Sequence, residues 1–125
     1  MYPEIFEYSC YLTFDPLSSE QLREIESLVK PLGISIDVGS QYLEFDYSGR
    51  DNNRKVVRLL HQLAGIIGDA NGEVRCELAW EDSDPSFEFY SIKGGCLLLQ
   101  KGYIVREEPV VLDASKLSLP EYSAA

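Results

Sequence analysis

Three observations predict an α+β domain. Short segments with alternating apolar and polar residues recur along the chain, two segments with helical spacing lie among them, and the links are short and rich in Gly, Pro, Asn and Asp. In order, the elements read β-α-β-β-α-β, followed by two more strands.

Glu7–Phe14 places Tyr8, Cys10, Leu12 and Phe14 on one side and Glu7, Ser9, Tyr11 and Thr13 on the other, the pattern of a half-buried strand. Asp15-Pro16 ends it. Ser18 and Gln21 then form a capping box, with Leu17 and Leu22 as its hydrophobic staple. Leu22, Ile25, Leu28 and Val29 give 19–30 an apolar stripe, and Pro31 with Gly33 stops the helix.

Ile34–Val38 and Tyr42–Tyr47 are expected to form a hairpin around Gly39-Ser40. A second helix is expected over 52–67, with Asp51 or Ser48 as its cap. Val56, Leu60, Leu63 and Ile67 make its buried stripe, while Arg50, Arg54, Arg58, His61 and Gln62 gather opposite. Asp69-Ala70-Asn71-Gly72 is a turn signal. Glu73–Trp80 alternates, with Val74, Cys76, Leu78 and Trp80 on one side. Phe87–Ile92 and Cys96–Val105 follow, joined through Gly94-Gly95, a pair suited to a type I′ turn. Gly102 suggests a bulge, and Val110-Val111-Leu112 a further short strand.

The first six elements match the ferredoxin-like βαββαβ core, here extended by a C-terminal β-hairpin. Right-handed crossovers put two helices on one face of a mainly antiparallel sheet of about six strands. Short consecutive links favour the spatial order 6-5-4-1-3-2. In a rival arrangement the last hairpin folds back over the open face. Residues 1–106 form a single domain, and 107–125 a C-terminal tail that is partly ordered or wraps the domain.

Composition narrows the function. The 125 residues carry a formal net charge of −10, with 45% apolar and 26% charged residues, ordinary for a globular domain. Such a chain repels nucleic-acid phosphates and attracts basic surfaces. Met1–Glu7 has neither the basic nor the apolar region of a signal peptide, and no apolar run is long enough to span a bilayer, so a cytoplasmic protein is expected. Cys10, Cys76 and Cys96 are odd in number, widely spaced and set in apolar strand patterns, which points to buried free thiols.

No catalytic, cofactor or metal signature stands out. His61 is the single histidine, and the glycines form no phosphate loop. Glu81-Asp82-Ser83-Asp84 lacks the glycine and the ligand number of a calcium loop. The face opposite the helices is expected to carry Tyr11, Tyr42, Glu44, Asp46, Glu77, Glu88 and Tyr90. A wet antiparallel face accounts for such a set without any function. Its functional counterpart is a contact surface: tyrosines give area at low entropic cost, and carboxylates steer a basic partner.

The element order alone resembles that of the RNA-recognition module, in which Tyr11 and Tyr42 would stand in for stacking residues. The basic residues of that module's signature are absent, and the carboxylates oppose phosphate. The expected function is therefore a non-catalytic acidic protein-binding module, such as an inhibitor or immunity-type protein for a basic partner. The alternative is a small ligand-binding domain or enzyme with a pocket on the open sheet face. A homodimer is a third expectation, with the basic residues of the second helix meeting an acidic loop.

Overall fold

The computed structural model describes residues 3–116. Strands β1 (Ile5–Thr13), β2 (Asp37–Val38), β3 (Tyr42–Gly49), β4 (Val74–Ala79), β5 (Ser86–Lys93) and β6 (Cys96–Tyr103) form one open antiparallel sheet, ordered β2-β3-β1-β4-β5-β6. Read from the other edge, this is the expected 6-5-4-1-3-2. The closing hairpin widens the sheet and does not fold over it. Helix α1 (Ser19–Val29) follows β1, and α2 (Lys55–Ile67) follows β3.

One apolar cluster explains the layering. Phe6, Tyr8, Cys10 and Leu12 of β1 join Leu43 and Phe45 of β3, and Val74, Cys76 and Leu78 of β4. Ile25 of α1 and Val56, Leu59, Leu60, Leu63 and Ala64 of α2 close over them. Burial of these side chains is the main drive for the fold. The capping box forms as expected: the Gln21 N–H donates to Ser18 Oγ at 3.1 Å, and the Ser18 N–H donates to Gln21 Oε1 at 2.8 Å.

Several local expectations are corrected. β2 is two residues long, because Ile34 and Ile36 pack against the core without joining the ladder. The second helix begins at Lys55, not at 52. The residue before it, Arg54, is left-handed at φ 56° and ψ 39°. Gly94 and Gly95 have φ of 57° and 75°, the signs a type I′ turn requires. The β5–β6 ladder is unbroken from Ser86↔Tyr103 to Lys93↔Cys96, so Gly102 marks no bulge. It leaves room for an aromatic ring: a Cβ there would lie 2.9 Å from Phe89 Cε2. Cys10 and Cys76 are buried on central strands, whereas Cys96, the first residue of the edge strand after the Gly94-Gly95 turn, is exposed. Val110–Leu112 is not a strand, and its side chains are exposed.

Candidate functional site

The pairing register sorts side chains between the two faces, because directly opposed residues point the same way. On the open face Asp37 stands beside Glu44, and Glu44 beside Tyr11. The next row runs Asp46, Ser9, Arg75, Phe89, Gln100. The one after it runs Ser48, Glu7, Glu77, Phe87, Gly102. Tyr42 joins this face at the start of β3 and donates its hydroxyl to Asp37 Oδ1 at 3.0 Å. That bond raises its pKa, because a phenolate could not donate to the carboxylate.

Tyr11, Tyr42, Glu44, Asp46 and Glu77 thus share one face. Glu7, on the same alternation as Ser9 and Tyr11, belongs with them and was legible from its position. Glu7 and Glu77 oppose each other directly, which costs a few tenths of a kcal/mol as a like-charged pair. Arg75, whose Nη2 lies 3.7 Å from Glu77 Oε1, relieves this. It is the only basic side chain on this face among the residues of β1, β3 and β4. A shallow concavity of about 460 Å³ is lined by Glu7, Ser9, Asp46, Ser48, Arg75 and Glu77.

Glu88 and Tyr90 are not on this face. Glu88 is opposite Cys76 and Tyr90 opposite Val74, so both point to the helix side. Phe87 and Phe89 take the open-face positions instead. Their rings stack at 6.3 Å, and the Arg75 guanidinium lies 5.2 Å from the Phe87 ring centre. The face is therefore acidic across β3, β1 and β4 and aromatic across β5.

The displaced pair belongs to a second polar cluster at the start of α2. Arg54 pairs with Glu88, and its Nη2 donates to the Tyr90 hydroxyl at 3.0 Å. Tyr90 in turn donates to Glu88 Oε1 at 2.7 Å. The guanidinium sits 5.1 Å from the Phe6 ring centre. Burial opposes the charge of Arg54, but its hydrogen bond to Glu88 and the neighbouring groups outweigh this, and its pKa is raised. Burial and the bond to Glu88 raise Tyr90. Arg54 is therefore not part of a solvated helix face.

Beside it, Asp51 is 3% exposed and takes the capping role. It accepts the Lys55 N–H at 2.8 Å and the Val56 N–H at 3.4 Å. The Tyr8 hydroxyl donates to its Oδ2 at 2.6 Å. Burial first, then this bond, pushes the Tyr8 pKa up. A cleft of about 390 Å³ opens alongside, bounded by Phe6, Trp80 and Tyr103 and by Arg54, Glu88 and Lys101.

Burial pushes the Cys10 and Cys76 thiols up to about 12, so both stay neutral and unreactive near neutrality. Among the described residues, no three His, Cys, Asp or Glu side chains converge as metal ligands would. No helix among them is long and apolar enough to cross a membrane. Compared with known proteins, the chain matches no family model, no curated protein and no solved structure.

Proposed function

We propose that this chain is a non-catalytic, acidic protein-binding module whose open sheet face receives a basic partner. An inhibitor or immunity-type protein is the concrete form of that reading. We read the fold as a ferredoxin-like core extended by the β5–β6 hairpin. The order β2-β3-β1-β4, with helices after β1 and β3, supports that reading. A cytoplasmic setting is part of the proposal: three free cysteines, one of them exposed, suit a reducing compartment.

The single observation that carries the function is the face itself. Glu7, Glu44, Asp46 and Glu77 gather on one side of three adjacent strands against Arg75 alone, and half-buried Phe87 and Phe89 border them. Carboxylates at this spacing attract lysines and arginines from a distance, and the two rings offer an apolar anchor beside the charge. The same charges repel nucleic acid.

The test begins with a partner captured from the native source and measured by stopped-flow association. Changing Glu7, Glu44, Asp46 and Glu77 together to Gln should slow association by about tenfold or more and flatten its salt dependence. An unchanged rate and salt slope would overturn the assignment of this face.

A further inference from the structure

We infer that the cleft at the start of α2 is a binding site for a small organic monoanion, of the class of arylalkyl carboxylates. It lies on the helix side of the sheet and is separate from the open face. Cross-strand register builds it. Phe6 opposes Leu78, Leu78 opposes Ser86, and Ser86 opposes Tyr103, one continuous row across β1, β4, β5 and β6. Glu88 and Lys101 oppose each other in the neighbouring row. Arg54 reaches in from the residue before α2, and α2 itself supplies no wall. The cleft of about 390 Å³ has room for one aromatic ring and a short chain.

The apolar part fits a ring. Phe6 and Leu78, 1% and 5% exposed, make the floor. Trp80 and the exposed Tyr103 stand beside it. The Trp80 indole is fixed in place, because its Nε1–H donates to Ser86 Oγ at 2.8 Å. A ligand ring seated here shares its faces and edges with both aromatic side chains.

The polar part fits an anion, because the capacity left over is donor capacity. A guanidinium carries five N–H groups. Arg54 spends three of them, on the two carboxylate oxygens of Glu88 and on the Tyr90 hydroxyl. Its Nε is buried without a partner, the one such side-chain atom among the described residues. The same residue is held at φ 56°, a backbone state that L side chains rarely adopt. An orphaned donor and a strained backbone thus coincide on one residue of the cleft, the mark of a group positioned for a ligand.

Lys101 adds a second cation. It forms no ion pair among the described residues, although acidic residues outnumber basic ones by 21 to 11 in the chain. Glu88, the carboxylate of the cleft, is already engaged by Arg54 and Tyr90, so a cationic ligand finds no free partner. Arg54, Lys101 and Glu88 sum to one positive charge, which a single carboxylate balances. Glu81, Asp82 and Asp84 in the adjoining link, on a chain of net charge −10, oppose a second negative charge.

Trp80 is the single tryptophan, so its emission reports occupancy of the cleft. The full chain is titrated with 3-phenylpropionate, with its amide, with 3-phenylpropylamine, with phenyl phosphate and with propionate. The acid should shift Trp80 emission and half-saturate near about 1 mM, an ordinary value for a ligand of this size. The amide, the amine and phenyl phosphate should each bind about tenfold more weakly, and propionate, which lacks the ring, weaker still. Lys101→Gln and Tyr103→Ala should each weaken the acid by about fivefold. Both side chains are exposed, so thermal unfolding of the unliganded variants should match that of the parent. Glu44→Gln, on the other face, should bind as the parent does.

Three results would overturn the proposal. Trp80 emission unmoved by about 20 mM acid would mean that the cleft takes no such ligand. An amide as tight as the acid would remove the anion from the assignment and leave a plain apolar cleft. An affinity unchanged in both Lys101→Gln and Tyr103→Ala would place the binding elsewhere on the molecule.

Discussion

Glu77 and Glu88 lie on neighbouring strands, one position out of step, and on opposite faces of the sheet. Glu77 opposes Glu7, with only the loose contact of Arg75 for relief. Glu88 has a guanidinium and a tyrosine hydroxyl within hydrogen-bonding reach and a largely buried side chain. The first arrangement leaves charge unspent toward solvent, where a partner can use it. The second consumes charge to fix the start of α2 against β5. A carboxylate's residue type therefore says little about its use until the strand register is known.

The helix side should respond most to alkaline pH. The fold holds the Cys10 and Cys76 thiols neutral up to about 12, against an ordinary value of 9.0. Above pH 9 the unfolded chain loses these protons while the folded chain keeps them. The associated stability is complete below pH 9 and declines as pH rises toward 12. The expected loss by pH 11 is on the order of 2 kcal/mol per thiol. Tyr8 and Tyr90 act in the same sense from pH 10 upward. Urea unfolding between pH 8 and 11 measures it, and Cys10→Ala with Cys76→Ala should flatten the slope. Iodoacetamide at pH 8 should modify Cys96 alone in the folded chain and all three thiols in urea. Modification of Cys76 without denaturant would break the contrast between the faces.

Asp51→Ala should come next. It orphans the Tyr8 hydroxyl and two helix-start N–H groups, for about 2–4 kcal/mol of stability in denaturant titrations. Glu88→Ala should cost about 1–3 kcal/mol, less than a fully buried pair because the Arg54 side chain keeps a third of its exposure. Glu44→Gln on the open face should stay within about 0.5 kcal/mol. Should Glu88→Ala prove as silent as Glu44→Gln, the division of labour drawn above fails. The smallest effect is of opposite sign: Glu7→Gln should raise the unfolding midpoint, by a few tenths of a kcal/mol, by removing the like-charged pair.

Much of this is legible in the residues themselves. From Glu7 onward β1 alternates without a slip, so its two faces follow from the residues alone, whereas its start at Ile5-Phe6, both apolar, did not show. The capping box at Ser18 and the Gly94-Gly95 turn are local chemistry, and both formed as expected. β5 was not readable. Phe87-Glu88-Phe89-Tyr90-Ser91-Ile92 offers apolar residues in both phases, Phe87 and Phe89 in one and Tyr90 and Ile92 in the other. The register with β4 decides between them, and it places Glu88 inside. That phase is tolerable because Arg54 reaches across from α2. Arg54 reaches there from a left-handed residue, a backbone state that side-chain periodicity does not reveal. The candidate face was thus legible on β1, β3 and β4 and lost where apolar residues occupied both phases.

The place of β1 in the sheet also sets a timetable. Of the six strands it is the first to be made, yet its two neighbours are β3 and β4. Residues 14–73 must be made before β4 begins, on the order of 3–12 s at ordinary synthesis rates. Through that interval Phe6, Tyr8 and Leu12 have no complete core to enter, and they are the surface a chaperone would hold. The β5–β6 hairpin, made last, closes through its two-glycine turn on the microsecond scale. Ribosome-bound chains in which residue 79 has or has not cleared the exit tunnel should therefore differ abruptly in their resistance to protease.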